Sequence, residues 1–423
     1  MNTQRIGAVY ALTTFSFLFP YIKILPLQSY NQPNALLMSA LLLLLVPTIP
    51  SVLPRLDRIF LYCLATFGTF LLFLAAPSGL EIREVQFWLS YVSPLVLVPV
   101  MLHIITRNVE QFRTMLTAAV LTWIAVGLIQ FLIAPNFLIF LIASPDASSL
   151  GEAVLASGRG ALSLAPEPTH HGFQMLLLAA AVVLVGGRPW VAALAVLDAV
   201  LVAMSSSALL ALGLGGVLWC LLRLRRLPVL VLGVLAGASG LALAISYFSE
   251  KSRIIGLLKD LVELGPKVIL LDYSVNARIY GFWEPLKDAF ERGLMPLGMG
   301  HATWLETRER LLDNNADILG LSLNGVSSGL GMLLVQGGFF MLPVVLYFFA
   351  RICLPRRALL LGVLPCAAFM VFVSAYYISS PMFSLVLAAA IWAARAGKAG
   401  TAPAHAIPDG GWQRRGQKGA MLT

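Results

Sequence analysis

The chain has 423 residues, 59% of them hydrophobic and 12% charged, with a mean hydropathy of +0.86 and a formal net charge of +9. Soluble domains carry about 25% charged residues, so a soluble globular protein is excluded and a polytopic membrane protein is implied. The positive excess sits mostly in short stretches between apolar runs, where Lys and Arg set topology and meet anionic lipid, which argues against nucleic acid as a partner.

In chain order, repeated apolar stretches predict about 12 transmembrane helices. The first runs from near Ile6 to Ile22 and the second from Ala35 to Leu53; the third, Ile59 to Ala76, follows the charged stretch Pro54 to Arg58. The first run has no small-residue cleavage site, so it reads as a retained span rather than a signal peptide. The fourth covers Gln86 to Ile105, the fifth Thr114 to Ala134, the sixth Gly172 to Gly186 and the seventh Trp190 to Met204. The eighth ends near Leu222 and the ninth covers Pro228 to Phe248. Beyond a long polar segment come Val326 to Ala350, Ala358 to Val373 and Ser380 to Ala394. Spanning β-strands would show short alternating segments instead. The four cysteines form no CxxC and lie in apolar runs or at a span end, which predicts neither disulfides nor thiolate metal sites.

With the N-terminus in the cytoplasm, Arg5, Arg55, Arg58, Arg107, Arg113, Arg188, Arg223, Arg351 and the tail all fall inside, as the positive-inside rule requires. Lys23, Arg83 and Arg159 are then the few cations of the short outer loops. Residues 1–395 read as one integral membrane domain, and 396–423 as a disordered basic tail at the cytoplasmic side. Two polar segments, 144–171 and 249–325, share the opposite side. Within the longer one, helices are predicted over Ser252 to Leu264, Asn276 to Arg292 and Thr303 to Leu319, with a turn at Gly293 to Gly300.

These segments hold the candidate chemistry. Arg159 and Arg278 are not needed for topology, and two planar guanidinium forks from separate loops suit a pyrophosphate. The bland alternative for each is a solvated loop arginine. Glu167, held between Pro166 and Pro168, is a stiffly placed carboxylate: a candidate general base, or an anion at a helix start. His301 is the other candidate base, as a histidine in general suits proton transfer near neutral pH, or else caps a turn. His170 and His171 are adjacent, so they diverge on a helix rather than chelate together, and no ligand spacing points to a metal. Tyr280, Trp283 and Trp304 are candidate sugar-stacking residues or interfacial belt aromatics. Asp198, inside the seventh span, reads as functional or as a hydrogen-bond link between helices.

Three stretches together are similar to the O-antigen polymerase and O-antigen ligase superfamily. They are Ser157-Gly158-Arg159 leading to Glu167-Pro168-Thr169 and Gly172; Arg278, Trp283 and Pro296 to Gly300; and Asn324 through Gly329 and Leu333 to Gly337-Gly338. The resemblance covers roughly residues 115 to 350 and implies a C-type glycosyltransferase architecture that joins glycans carried on a polyprenyl pyrophosphate. It places that reaction at the periplasmic face of the bacterial inner membrane, with the essential arginines at Arg159 and Arg278. The ligase branch typically has His where this chain has Leu323, which favours a polymerase of O-antigen or exopolysaccharide repeats. Catalytic roles then fall to Arg159, Arg278, Glu167 and His301, and substrate contacts to His170, His171, Tyr280, Trp283 and Trp304. Membrane lipids, a chain-length regulator and a flippase of the same pathway are the implied partners, and no cofactor is expected. The rival from a different class is a 12-span transporter, which would show repeat symmetry and polar residues at mid-membrane depth.

Overall fold

The computed structural model describes residues 3–24, 32–75, 82–142, 150–156, 158–223, 273–322, 325–326, 328–354 and 362–398, with single positions 259, 265, 267 and 271. The ninth predicted span, the predicted helix Ser252 to Leu264, Leu323, Asn324 and the basic tail lie outside the described residues.

Among the described residues the chain is all-helical, with one isolated antiparallel bridge between Ile22 and Ile142. Fifteen helices are numbered here in chain order: α1 Thr3–Leu18, α2 Asn34–Leu45, α3 Arg55–Ala75, α4 Ile82–Arg107, α5 Val109–Leu132, α6 Leu150–Ala156, α7 Pro168–Leu184, α8 Pro189–Leu201, α9 Ser206–Leu222, α10 Tyr273–Glu291, α11 His301–Asn314, α12 Gly329–Gly337, α13 Leu342–Cys353, α14 Val363–Ser374 and α15 Pro381–Lys398. Four segments are long and apolar enough to cross a membrane: Arg55–Leu74, Ile82–Arg107, Val109–Leu132 and Gly329–Cys353. The other apolar helices run 10–17 residues, shorter than the roughly 20 residues of an untilted span. Each overlaps a predicted span but with different ends: α2 stops at Leu45, short of Leu53, whereas α7 begins at Pro168, ahead of Gly172, and α15 runs on past Ala394 to Lys398.

α7 is the hub. It packs against α5, α8, α9, α14 and α15, and from Gly172 to Val185 every residue is buried. A helix apolar all round belongs in such a position. Lipid tails are as apolar as leucine, so what favours this arrangement in a bilayer is close packing, and small residues permit it. Gly172 abuts Ser205 and Ala208, Gly160 lies against the backbone of Val202 and Ala203, and Gly215 of α9 lies against Ala367 of α14. α4 contains Pro94 and Pro99 yet continues as one helix, flanked by α2, α3 and α15.

The two long-segment helices predicted at 276–292 and 303–319 are present as α10 and α11, the second ending earlier, at Asn314. Residues 318–322 instead fold back along α11, where Leu321 O accepts from Arg308 Nε at 2.9 Å and Ser322 O accepts from Trp304 Nε1 at 3.0 Å. Asn276 ties the start of α10 to this return through bonds to Asp317 O (2.9 Å) and Leu319 N (3.0 Å). The predicted turn between the helices docks on α12: Leu297 N and Gly298 N donate to Val335 O (3.1 Å) and Gln336 O (3.0 Å), and Phe339 N donates to Leu294 O (2.9 Å). This closeness requires Gly338, which sits at φ +59, ψ −146, where a Cβ would be 2.2 Å from Leu294 O.

Candidate functional site

The two polar segments meet at the first turn of α7. Glu167 is extended at φ −147, ψ 152 and Pro168 opens the helix, the position where a missing N–H costs nothing. The Glu167 carboxylate caps no backbone amide; it lies 3.9 Å from His170 Nδ1, and both side chains are partly accessible. His170 presents its ring to the edge of Tyr21 (centroids 5.9 Å) and lies 6.1 Å from Tyr376. The Tyr21 and Tyr376 hydroxyls are in hydrogen-bond contact. One turn into the helix, Phe173 meets Tyr376 edge-on at 6.0 Å and carries the Arg278 guanidinium 5.9 Å from its ring centroid. α1, α7, α10 and the segment after α14 therefore converge on one cluster.

Its electrostatics follow from that convergence. His170 precedes the apolar stretch that begins at Gly172. Loss of water around its ring lowers its pKa, Glu167 partly opposes this and Arg278 reinforces it, leaving it at about 4. His170 is thus a neutral imidazole near pH 7, and the cluster's formal charges are the Glu167 carboxylate and the Arg278 guanidinium. Burial pushes the Tyr376 phenol up, so it stays a hydroxyl donor.

Arg159 enters from another side. Its segment is fixed by Ala161 N donating to Val202 O at 2.9 Å and by Gln130 of α5, which accepts from Ser163 N at 2.6 Å and donates to Ser163 O at 2.9 Å. The half-buried Arg159 side chain makes no hydrogen bond or ion pair among the described residues.

The other predicted site residues are distributed differently. His171 is fully buried and stacks on Trp123 at 5.8 Å. Its Nδ1 donates to Ala161 O at 3.0 Å, and Nε2 lies 2.8 Å from Asp198 Oδ2, in ion-pair contact without hydrogen-bond alignment. It offers no surface to a substrate; with Asp198 it anchors the Arg159 segment to α7 and α8. Trp304 is likewise buried, with its indole N–H used on Ser322 O. Tyr280 packs against Leu311, Ile318 and Leu321. Trp283 alone of the predicted aromatics is widely exposed, at 55%.

His301 begins α11 in a separate cluster. Its backbone N–H donates to the buried Glu84 carboxylate at 3.0 Å, and its ring contacts the Arg83 guanidinium. Glu84 thereby complements the helix start. Among the described residues no contact joins this cluster to Glu167.

Sequence reasoning missed Tyr21, Tyr376, Arg83 and Glu84 as partners of these residues. Tyr21 and Tyr376 sit at span ends, where an aromatic reads as belt, and Arg83 reads as a topology signal. No family model matches this chain, and neither does any curated protein.

Proposed function

We propose that the chain is a membrane glycosyltransferase that polymerises oligosaccharide repeat units of O-antigen or exopolysaccharide carried on polyprenyl pyrophosphate, at the periplasmic face of the bacterial inner membrane. What supports this reading is the meeting of Arg278, from one polar segment, with Glu167 and His170, from the other, at the mouth of the central helix. Both act on His170: the partly accessible Glu167 carboxylate lies 3.9 Å from its Nδ1, and Arg278, over the Phe173 ring, helps hold the imidazole neutral.

In this reaction an acceptor hydroxyl oxygen forms a bond to the donor's anomeric carbon, and the bond from that carbon to the pyrophosphate oxygen breaks. Arg278 stabilises the charge that develops on the leaving pyrophosphate, joined by Arg159 as a second cation. Glu167 takes the hydroxyl proton; it outranks His301 because it shares a cluster with Arg278. His170, which is partly accessible, orients a sugar hydroxyl, and the buried Tyr21–Tyr376 pair holds its ring in place. The 12-span layout, with both termini cytoplasmic, belongs to the same proposal, as do a chain-length regulator and a flippase as partners.

The test is gel analysis of surface polysaccharide from a deletion strain complemented with wild type or Arg278→Ala. Single repeat units in the deletion and the variant, with long chains restored by wild type, are expected. Removing one preorganised charge donor of this kind costs about 10²–10³ in rate, enough to leave the variant looking like the deletion. Long chains that stay unattached to their acceptor would point to a ligase, and normal glycan throughout would move a transporter to the front.

A further inference from the structure

α10 and α11 enclose a cavity of about 130 Å³ that the proposed reaction does not use. Glu284, Lys287, Asp288 and Glu291 line it from α10, and Arg310 and Asn314 from α11. Asp288 is saturated: Oδ2 accepts from Arg292 Nε at 3.0 Å and Oδ1 from Arg310 Nη2 at 2.6 Å. Glu284 is different. It is 8% exposed, lines the cavity and has no hydrogen bond or ion pair with any described residue. Its oxygens are not sealed from water but open to the cavity, so they are available to accept from a bound group in place of water.

The donor set narrows what that is. A divalent cation would meet Lys287 and Arg310 in the same lining, and Asp288 has no oxygen to spare. An anion would meet Glu284 and Glu291. Interleaved acceptors and donors with little net charge suit a neutral molecule whose groups both give and accept hydrogen bonds, as vicinal hydroxyls do. Along the adjoining stripe of α10, about two turns apart, stand Trp283 and Phe290, 55% and 58% exposed. Exposed rings beside a polar cleft provide apolar faces for the C–H side of a pyranose. At a rise of about 1.5 Å per residue, Glu284 lies about 9 Å along the helix from Arg278.

We propose that this cavity is a subsite for a neutral sugar unit of the glycan, in which Glu284 accepts from a ring hydroxyl and Trp283 and Phe290 flank the chain as it runs toward Arg278. The subsite rests on the polymerase reading for its role, but not for its ligand chemistry. The cavity is smaller than the 300–1,000 Å³ of ordinary small-molecule pockets, so it seats one unit and not an extended chain.

The experiment titrates full-length protein in nanodiscs with neutral oligosaccharide released by mild acid from the host's own surface polysaccharide, read by saturation-transfer NMR. Glu284→Gln keeps the shape and replaces the charged acceptor; it is expected to weaken binding about tenfold, the worth of one hydrogen bond to a charged group. Trp283→Ala, at an exposed position that does not threaten folding, is expected to weaken it as well. Wild-type affinity in both Glu284→Gln and Trp283→Ala overturns the subsite, as does a wild type that binds no oligosaccharide. The polymerase reading fails separately, through normal chain length in Arg278→Ala cells, and oligosaccharide binding lost in Glu284→Gln would still support the subsite in that case.

Discussion

At the scale of single residues, adjacent histidines have opposite fates. His170 and His171 are neighbours in sequence, and a helix turns about 100° per residue, so one ring reaches the cleft and the other the core. His171 there depends on Asp198: both side chains are essentially inaccessible, and a buried polar group left without its partner is costly. Asp198→Ala is expected to lower stability by about 1–3 kcal/mol, read as a drop in the thermal unfolding midpoint of purified protein. The double variant His171→Leu, Asp198→Leu should recover most of that, because replacing both partners with apolar groups removes the desolvation penalty along with the attraction. An unchanged midpoint in Asp198→Ala would mean that the pair does not hold the Arg159 segment. Asp198 was legible as a polar residue in a span; its partner was not, because 27 residues and a turn between helices separate them.

At the scale of elements, the turn Pro296 to Gly300 and the Gly337-Gly338 pair are two of the stretches on which the family resemblance rests, and they touch. Gly338 occupies a backbone region that is essentially confined to glycine, and its α-carbon faces Leu294 O. Gly338→Ala is expected to cost at least about 1–3 kcal/mol from backbone strain alone. The local consequence is faster amide hydrogen exchange at Leu297 and Gly298, whose donors bond to the end of α12. Exchange at wild-type rates would show that the turn docks by other contacts. Helical periodicity was enough to place α10 and α11, but α11 stops at Asn314 because 318–322 returns along it, a tertiary contact with no local signal.

At the scale of the whole molecule, Asp57 of α3 joins Arg351 and Tyr347 of α13 at a buried junction. Arg351 Nε lies 2.8 Å from Asp57 Oδ1, and the Tyr347 hydroxyl contacts the same oxygen. Arg395 of α15 reaches Val52 O nearby. In the proposed orientation, which the charge pattern predicts, this end of the bundle is cytoplasmic and both polar segments lie opposite. Cysteine labelling checks it: in a background lacking the four native cysteines, Ala153→Cys and Met295→Cys, both exposed, are expected to react with a membrane-impermeant maleimide in intact cells. Labelling of one and protection of the other would break the shared-side layout on which the proposed site depends.

Composition and apolar run length by themselves determined that this is a helical, membrane-type chain, because a backbone in lipid must satisfy its own hydrogen bonds and needs a minimum apolar length. They also located the two polar segments, because that density of charge is not tolerated in hydrocarbon. Which members of those segments meet was decided by tertiary structure alone. Arg278 reaches Phe173 and His170 only because α10 packs on α9, α12 and α14. Tyr21 and Tyr376 join them only because α1 and the segment after α14 end beside α7. The fully buried α7 likewise reads in sequence as one apolar run among many; its place as the hub comes from small residues on neighbouring helices that allow backbones to approach. Contacts between residues hundreds of positions apart leave no periodicity in the chain, so pattern can name the candidates, while packing selects among them.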